Sequence, residues 1–237
     1  GGVEFNRYKG VKHVRSLLVD NSDSQITLEI LREIREYMAL RAKALREAGV
    51  KDIVEFNSLN KGNRLPQIMI VVDECHAMFS TGSNIPRAIS NEVSEITTMI
   101  AKEGRSQGVH LIMATQTLAG TDINSEILNN ISVHYLLKCA ASDSNRLVEG
   151  SSDITSKLST GQIYCNVNGV QTVFQSFYID TENAKQQILN ISKKADNHQT
   201  NEKFYFNGMQ LFRLDDVLIA NKENDNRYPV AYIGKNI

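Results

Sequence analysis

The chain has 237 residues, 41% of them hydrophobic, which is enough for one good-sized core, or a main domain with an appendage, and too apolar for a disordered chain. Its 26 basic and 27 acidic residues leave a formal charge of -1, so no strongly basic face of the kind that marks a nucleic-acid binder is announced, and only a local DNA-contacting loop remains compatible with it. Cys75, Cys139 and Cys165 are far apart, with no CxxC pair and no histidine at ligand spacing, which argues against a disulfide framework and against zinc and predicts reduced thiols. No apolar run approaches the roughly 20 residues needed to cross a bilayer, and the opening GGVEFNRYKG lacks the regions of a signal peptide. The expectation is a soluble, cytoplasmic chain, with any attachment to the inner face of a cell membrane made through segments outside it.

The first periodic stretch is 24 to 48, where Ile26, Ile30, Ile34, Tyr37, Met38 and Leu45 recur near helical spacing among charged residues and Gly49 stands where a C-cap would. It predicts one long amphipathic helix, and the basic residues Arg41, Lys43, Arg46 and Lys51 around its end read as a solvated surface. The polar stretch 58 to 66 leads into the unbroken apolar run Ile68-Met69-Ile70-Val71-Val72, a pattern suited to a strand buried on both faces, as in parallel sheets. A loop at 80 to 87, a helix at 88 to 103 and a strand at 109 to 114 follow. Further strands are predicted at 132 to 139, 162 to 167 and 170 to 178, the last two joined by Asn168-Gly169, a strong hairpin-turn dipeptide. Strands 68 to 72, 109 to 114 and 132 to 139 are expected to be parallel neighbours. Helices alternating with buried strands point to the α/β class with a mainly parallel sheet flanked by helices. Beyond Asp180 the pattern weakens: 181 to 203 is a polar helix or linker, 221 to 227 is a charged linker, and no internal repeat is present.

The chemistry is concentrated at 68 to 74, IMIVVDE. A strand that emits Asp73 and Glu74 at its carboxyl end puts both beside the crevice where open α/β sheets bind ligands. In a nucleotide hydrolase the first carboxylate holds Mg²⁺ through its water shell, and the second polarises the attacking water. An acidic first turn of a following helix gives the same letters, and the motif alone does not choose. The neighbouring strand ends in Ala114-Thr115-Gln116, and an amide at that tip can sense a γ-phosphate or orient water, or serve as a plain polar cap. Arg105, between helix and strand, could stay solvated or reach a neighbouring subunit's site. His76, His110 and His134, in or beside apolar strands, read as hydrogen-bonded structural histidines, and Cys75 reads as a buried, inert thiol.

The runs LPQIMIVVDECHAMF and AKEGRSQGVHLIMATQTLAGTDINSEILNNI closely resemble the Walker B to sensor segment of the FtsK/SpoIIIE family of motor ATPases. LRAKALREAGVKDIVEFN resembles the helix ahead of it, and ISVHYLLKCAASDSNRLVEGSSDITSKLSTGQIYC resembles the family's closing region, so the likeness covers roughly 1 to 180. The resemblance implies a RecA-like P-loop NTPase core lacking the P-loop strand, working with ATP and Mg²⁺. It implies that Asp73 is the Walker B aspartate that holds Mg²⁺ through water, that Glu74 is the catalytic glutamate, and that Thr115 and Gln116 face the nucleotide with Gln116 as sensor. Arg105 is then a finger acting in trans. Three departures stand out: no GxxxxGK[ST] occurs anywhere, Cys75 replaces the customary Phe after the acidic pair, and the arginine after the Asp-Ser turn is Asn145 with Arg146 one place later.

Without the phosphate loop there are neither clustered backbone N–H groups nor a lysine for the phosphates, so the chain by itself is expected to bind ATP poorly. It reads as an excised part of a motor: residues 1 to 180 as a partial ATPase domain, and 181 to 237 as a linker or tail leading to a further domain, as in tandem members such as type VII secretion motors. The implied assembly is a homo-hexamer that moves double-stranded DNA or a secreted protein. A degenerate ATPase-like scaffold or substrate-binding domain, with no nucleotide turnover of its own, is the alternative.

Overall fold

The computed structural model describes residues 5–8, 11, 13–18, 24–62, 64–79, 85–194, 204–206 and 230–233. Strand β1 (Val14–Leu18) is followed by helix α1 (Ser24–Glu47), a short helix α2 (Ile53–Leu59) and strand β2 (Ile68–Val72). Helix α3 (Arg87–Gln107) then runs directly into β3 (Val109–Met113). Ile30, Ile34 and Met38 of α1 join Val93, Ile96 and Ile100 of α3 and Ile68, Ile70 and Val72 of β2 in one buried cluster. Each such side chain contributes about 1.5–3 kcal/mol, against ~1 kcal/mol for a good cap, so packing of the apolar faces decides these helices.

The end of α3 and the start of β3 are held by an unexpected residue. Arg41 of α1 is wholly buried, and its guanidinium donates to the carbonyls of Gln107 and Pro66, each at 2.7 Å. Those are last-turn and strand-approach carbonyls that no helix or ladder satisfies, and a cation suits the negative end of α3. The solvated surface expected from the basic run therefore does not include Arg41. Arg15 of β1 is likewise buried and pairs with Glu33 of α1, Nη2 to Oε1 at 3.2 Å.

Helix α3 runs four residues further at its carboxyl end than its apolar spacing predicts, because Gly104 and Gly108 let it reach β3 without a gap. Gly108 closes the helix at φ 69°, and a Cβ there would lie 2.6 Å from Ile53 Cδ1. Arg105 is consequently in the last helical turn rather than in a loop.

Five strands form a parallel sheet in the order β3-β2-β8-β1-β7, where β7 is Phe204–Phe206 and β8 is Val230–Ile233. β2 and β3 pair from Ile68↔Val109 to Val72↔Met113, so their carboxyl ends are level. The expectation that β2 is buried on both faces does not hold. Ile68, Ile70 and Val72 are buried against α1 and α3, whereas Met69 is 45% exposed and Ile112 of β3 is 48% exposed. One face of this pair packs on helices, and the other is half open.

A second correction concerns 132 to 139. The strand there, β4 (Val133–Leu136), is not a parallel neighbour of β3 but an edge of a separate antiparallel sheet, β4-β5-β6. Its partner β5 (Gln162–Val167) lines up Leu136 with Tyr164, and these two close a small core with Val148 and Leu158. β5 continues into β6 (Val170–Gln175) through Asn168 and Gly169 at φ 51° and 85°, the left-handed pair that a tight hairpin requires. Between β3 and β5 lie α4 (Ser125–Asn130), α5 (Ala141–Leu147) and α6 (Ser152–Ser156).

The polar stretch after Asp180 opens with helix α7 (Thr181–Lys194), whose Ile188 packs on Val11, Val14 and Leu17. The tail also supplies β7 and β8 to the same sheet as β2. The charged linker 221 to 227 and most of the predicted loop 80 to 87 lie outside the described residues. No helix among the described residues is long and apolar enough to cross a membrane, and the three thiols are free.

Candidate functional site

The carboxyl ends of β2 and β3 are tied together beyond the strands themselves. Ala114 N donates to Val72 O at 2.8 Å, and Cys75 N donates to Ala114 O at 2.9 Å, so residues 73–75 and 114–116 are held side by side. Glu74 then turns through φ 50°, a left-handed conformation rare and costly for a side-chain-bearing residue. Its backbone carbonyl accepts from Ala77 N at 3.0 Å, which starts a tight 3-10 turn over Cys75–Phe79.

That turn folds the Glu74 side chain inward to 5% exposure. Gln116 Nε2 donates to its Oε1 at 2.6 Å. Oε2 lies 3.2 Å from His76 Nδ1 but makes no hydrogen bond, and is buried. Asp73 is half-buried, its Oδ1 accepts from Glu74 N at 3.0 Å, and no described residue bonds Oδ2. Thr115 Oγ1 donates to Thr117 O at 2.8 Å and faces His76 Nδ1 at 3.2 Å. Burial, and then the charges of Glu74 and Asp73, push the Cys75 thiol up to about 12, so beside two carboxylates it stays protonated and inert.

The loop that carries Thr115 and Gln116 is clamped from the second sheet's side. Asp143, in the first turn of α5, accepts from Thr117 Oγ1 at 3.0 Å and from Leu118 N at 3.1 Å. Arg146 of the same helix donates to the carbonyl of Leu118. These residues are far from the loop in sequence, and only the Asp-Ser turn of the resembling segment marked their region. The structure thus brings Asp73, Glu74, Thr115 and Gln116 together at one sheet end. It does not bring Arg105, which is exposed at the opposite end of β3, about 15 Å away for five residues of strand.

No family model matches the chain. It is 30% identical over 129 residues to the DNA translocase FtsK of Caldanaerobacter subterraneus, and 27% identical over 147 residues to the ESX-5 secretion system protein EccC5 of Mycobacterium tuberculosis. Those matches take in 54% and 58% of this chain. The chain's homologues are FtsK/SpoIIIE-type DNA translocases and type VII secretion ATPases. The match spans 17% of the translocase's length and 10% of the secretion protein's. Among solved structures, the pCW3 conjugation coupling protein TcpA, determined with ATPγS, superposes with a TM-score of 0.62 at 23% identity, covering 72% of this chain and 49% of that one. At that identity the likeness is one of fold, a RecA-like α/β core.

The residues at the sheet end fit the nucleotide chemistry of that fold in part. A lone carboxylate with a free oxygen, Asp73, suits Mg²⁺, which keeps several waters and is held by one or two carboxylates plus phosphates. No cluster of three or more His, Cys, Asp or Glu side chains that could hold a metal ion occurs among the described residues. Of the phosphate cradle the sequence holds no GxxxxGK[ST].

Proposed function

We propose that this chain is the hydrolysis half of the nucleotide site of a motor ATPase that moves double-stranded DNA or a secreted protein through a homo-hexameric ring. The observation that carries the proposal is the 2.6 Å hydrogen bond from Gln116 to the buried Glu74 carboxylate, beside Asp73 at the end of paired parallel strands. Asp73 is the carboxylate that would hold Mg²⁺ through water. Bound Mg²⁺ would supply neutralisation of charge between the β- and γ-phosphates. Glu74 orients and deprotonates the attacking water with Oε2, the oxygen that no protein group occupies, while Gln116 fixes the other oxygen and reports on the γ-phosphate. Thr115 sets the turn that presents Gln116. Arg105 is assigned to the neighbouring subunit's site. Residues 1 to 180 supply most of the ATPase portion, the strands Phe204–Phe206 and Val230–Ile233 of the tail complete its parallel sheet, and the machine works in the cytoplasm or at the inner face of the membrane.

The test is phosphate release. This chain by itself is expected to show none and to bind ATP weakly, and a full-length protein that includes an upstream phosphate loop is expected to hydrolyse ATP until Glu74→Gln abolishes it. Turnover by this chain alone would overturn the proposal. A full-length protein with no phosphate loop and no turnover would favour instead the scaffold or substrate-binding domain, which the missing GxxxxGK[ST] motif also fits.

A further inference from the structure

We propose that His76 is a positioning residue for Glu74, an inference that rests on the role given to Glu74 above. The Thr115 hydroxyl gives its only hydrogen to Thr117 O at 2.8 Å, so toward His76 Nδ1, 3.2 Å away, it can only accept. His76 therefore carries its proton on Nδ1. That same N–H lies 3.2 Å from Glu74 Oε2, the buried carboxylate oxygen that has no hydrogen bond.

A small rotation of the imidazole moves the N–H from Thr115 to Glu74 without breaking the 3-10 turn that seats the ring. The carboxylate then has two held states. In one, Gln116 holds Oε1 and Oε2 is free for water; in the other, Gln116 and His76 grip both oxygens. Because a buried carboxylate oxygen left bare is costly, His76 supplies the partner that keeps Glu74 in plane whenever no water is in place. Thr115 parks the ring when one is. The ring is a positioning group, since it acts only through Glu74.

Two measurements test this. In the chain itself, long-range ¹H–¹⁵N spectra are expected to show His76 protonated on Nδ1, and protonation on Nε2 alone would overturn the proposal. In the full-length ATPase, His76→Ala is expected to lower kcat about 10-fold with KM within about twofold, as for a small loss of alignment. His76→Asn, whose amide N–H sits where Nδ1 does, is expected to recover most of that loss. A folded Asn variant no better than Ala, or an Ala variant equal to wild type, would sink the idea. Glu74→Gln is the control: a variant that keeps full turnover removes Glu74 from catalysis, and the role of His76 with it.

Discussion

Arg41 is the residue whose loss should be felt most widely. Its guanidinium satisfies carbonyls of Pro66 and Gln107, on the segments that lead into β2 and out of α3. A charged donor is worth about 1.5–3 kcal/mol, so Arg41→Ala is expected to cost on the order of 3 kcal/mol or more, read as a fall in the urea midpoint. Arg41→Lys should recover only part, since an ammonium cannot fork to two separated carbonyls. Cys75 gives a pH prediction of opposite character. Its thiol is held protonated up to about 12 in the folded chain, whereas an unfolded thiol ionises near 8.5. The folded state therefore binds more protons in that window, and stability should fall as pH rises from about 8.5 toward 12. Cys75→Ser or Cys75→Ala should flatten that part of the curve in pH-dependent denaturation.

At the scale of elements, the junction of α3 and β3 depends on two glycines. Gly108→Ala would force a left-handed backbone on a side chain and press its Cβ against Ile53 and Gln67, and should cost more than about 1 kcal/mol in thermal or urea unfolding. At Gly104 a Cβ would lie 2.4 Å from Val109 O, a backbone atom, so Gly104→Ala must shift β3 against the helix and should be the worse of the two. The long helices, the β2–β3 pair and the Asn168-Gly169 hairpin were legible in the sequence because each is encoded by local spacing. The pairing of β4 with β5 was not, since a four-residue strand carries too little pattern to say which partner claims it. Nor was the burial of Arg41, because a charge in a basic run looks solvated until the carbonyls it meets, 25 or more positions away, are known. Of the site, the residue types and their meeting at one sheet end were legible from two strands with polar tips. The clamp by Asp143 and the left-handed turn at Glu74 were not, being products of tertiary structure.

For the whole molecule, the placement of Arg105 decides an assembly question. An exposed guanidinium at the far end of β3 cannot reach the Glu74 site of its own chain, so any catalytic role must be played across a subunit boundary. A mixture of full-length Arg105→Ala and Glu74→Gln parents, each inactive, is then expected to recover part of the ATPase rate at interfaces that pair an intact arginine with an intact glutamate. An arginine finger is worth on the order of 10³-fold or more, so even a small recovered fraction would stand clear of both parents. No recovery would remove Arg105 from catalysis.

The left-handed turn at Glu74 sets this protein's resistance to heat against its chemistry. Glycine and asparagine take such a turn at little cost, and neither would bury a carboxylate oxygen without a partner, whereas glutamate meets both penalties, the backbone one alone of order 1 kcal/mol or more. Glu74→Gly and Glu74→Asn are therefore expected to raise the melting temperature of the chain, measurable by calorimetry, while removing the carboxylate proposed to orient water. Selection in the laboratory for survival at high temperature alone should reach this codon early and return stable, silent proteins.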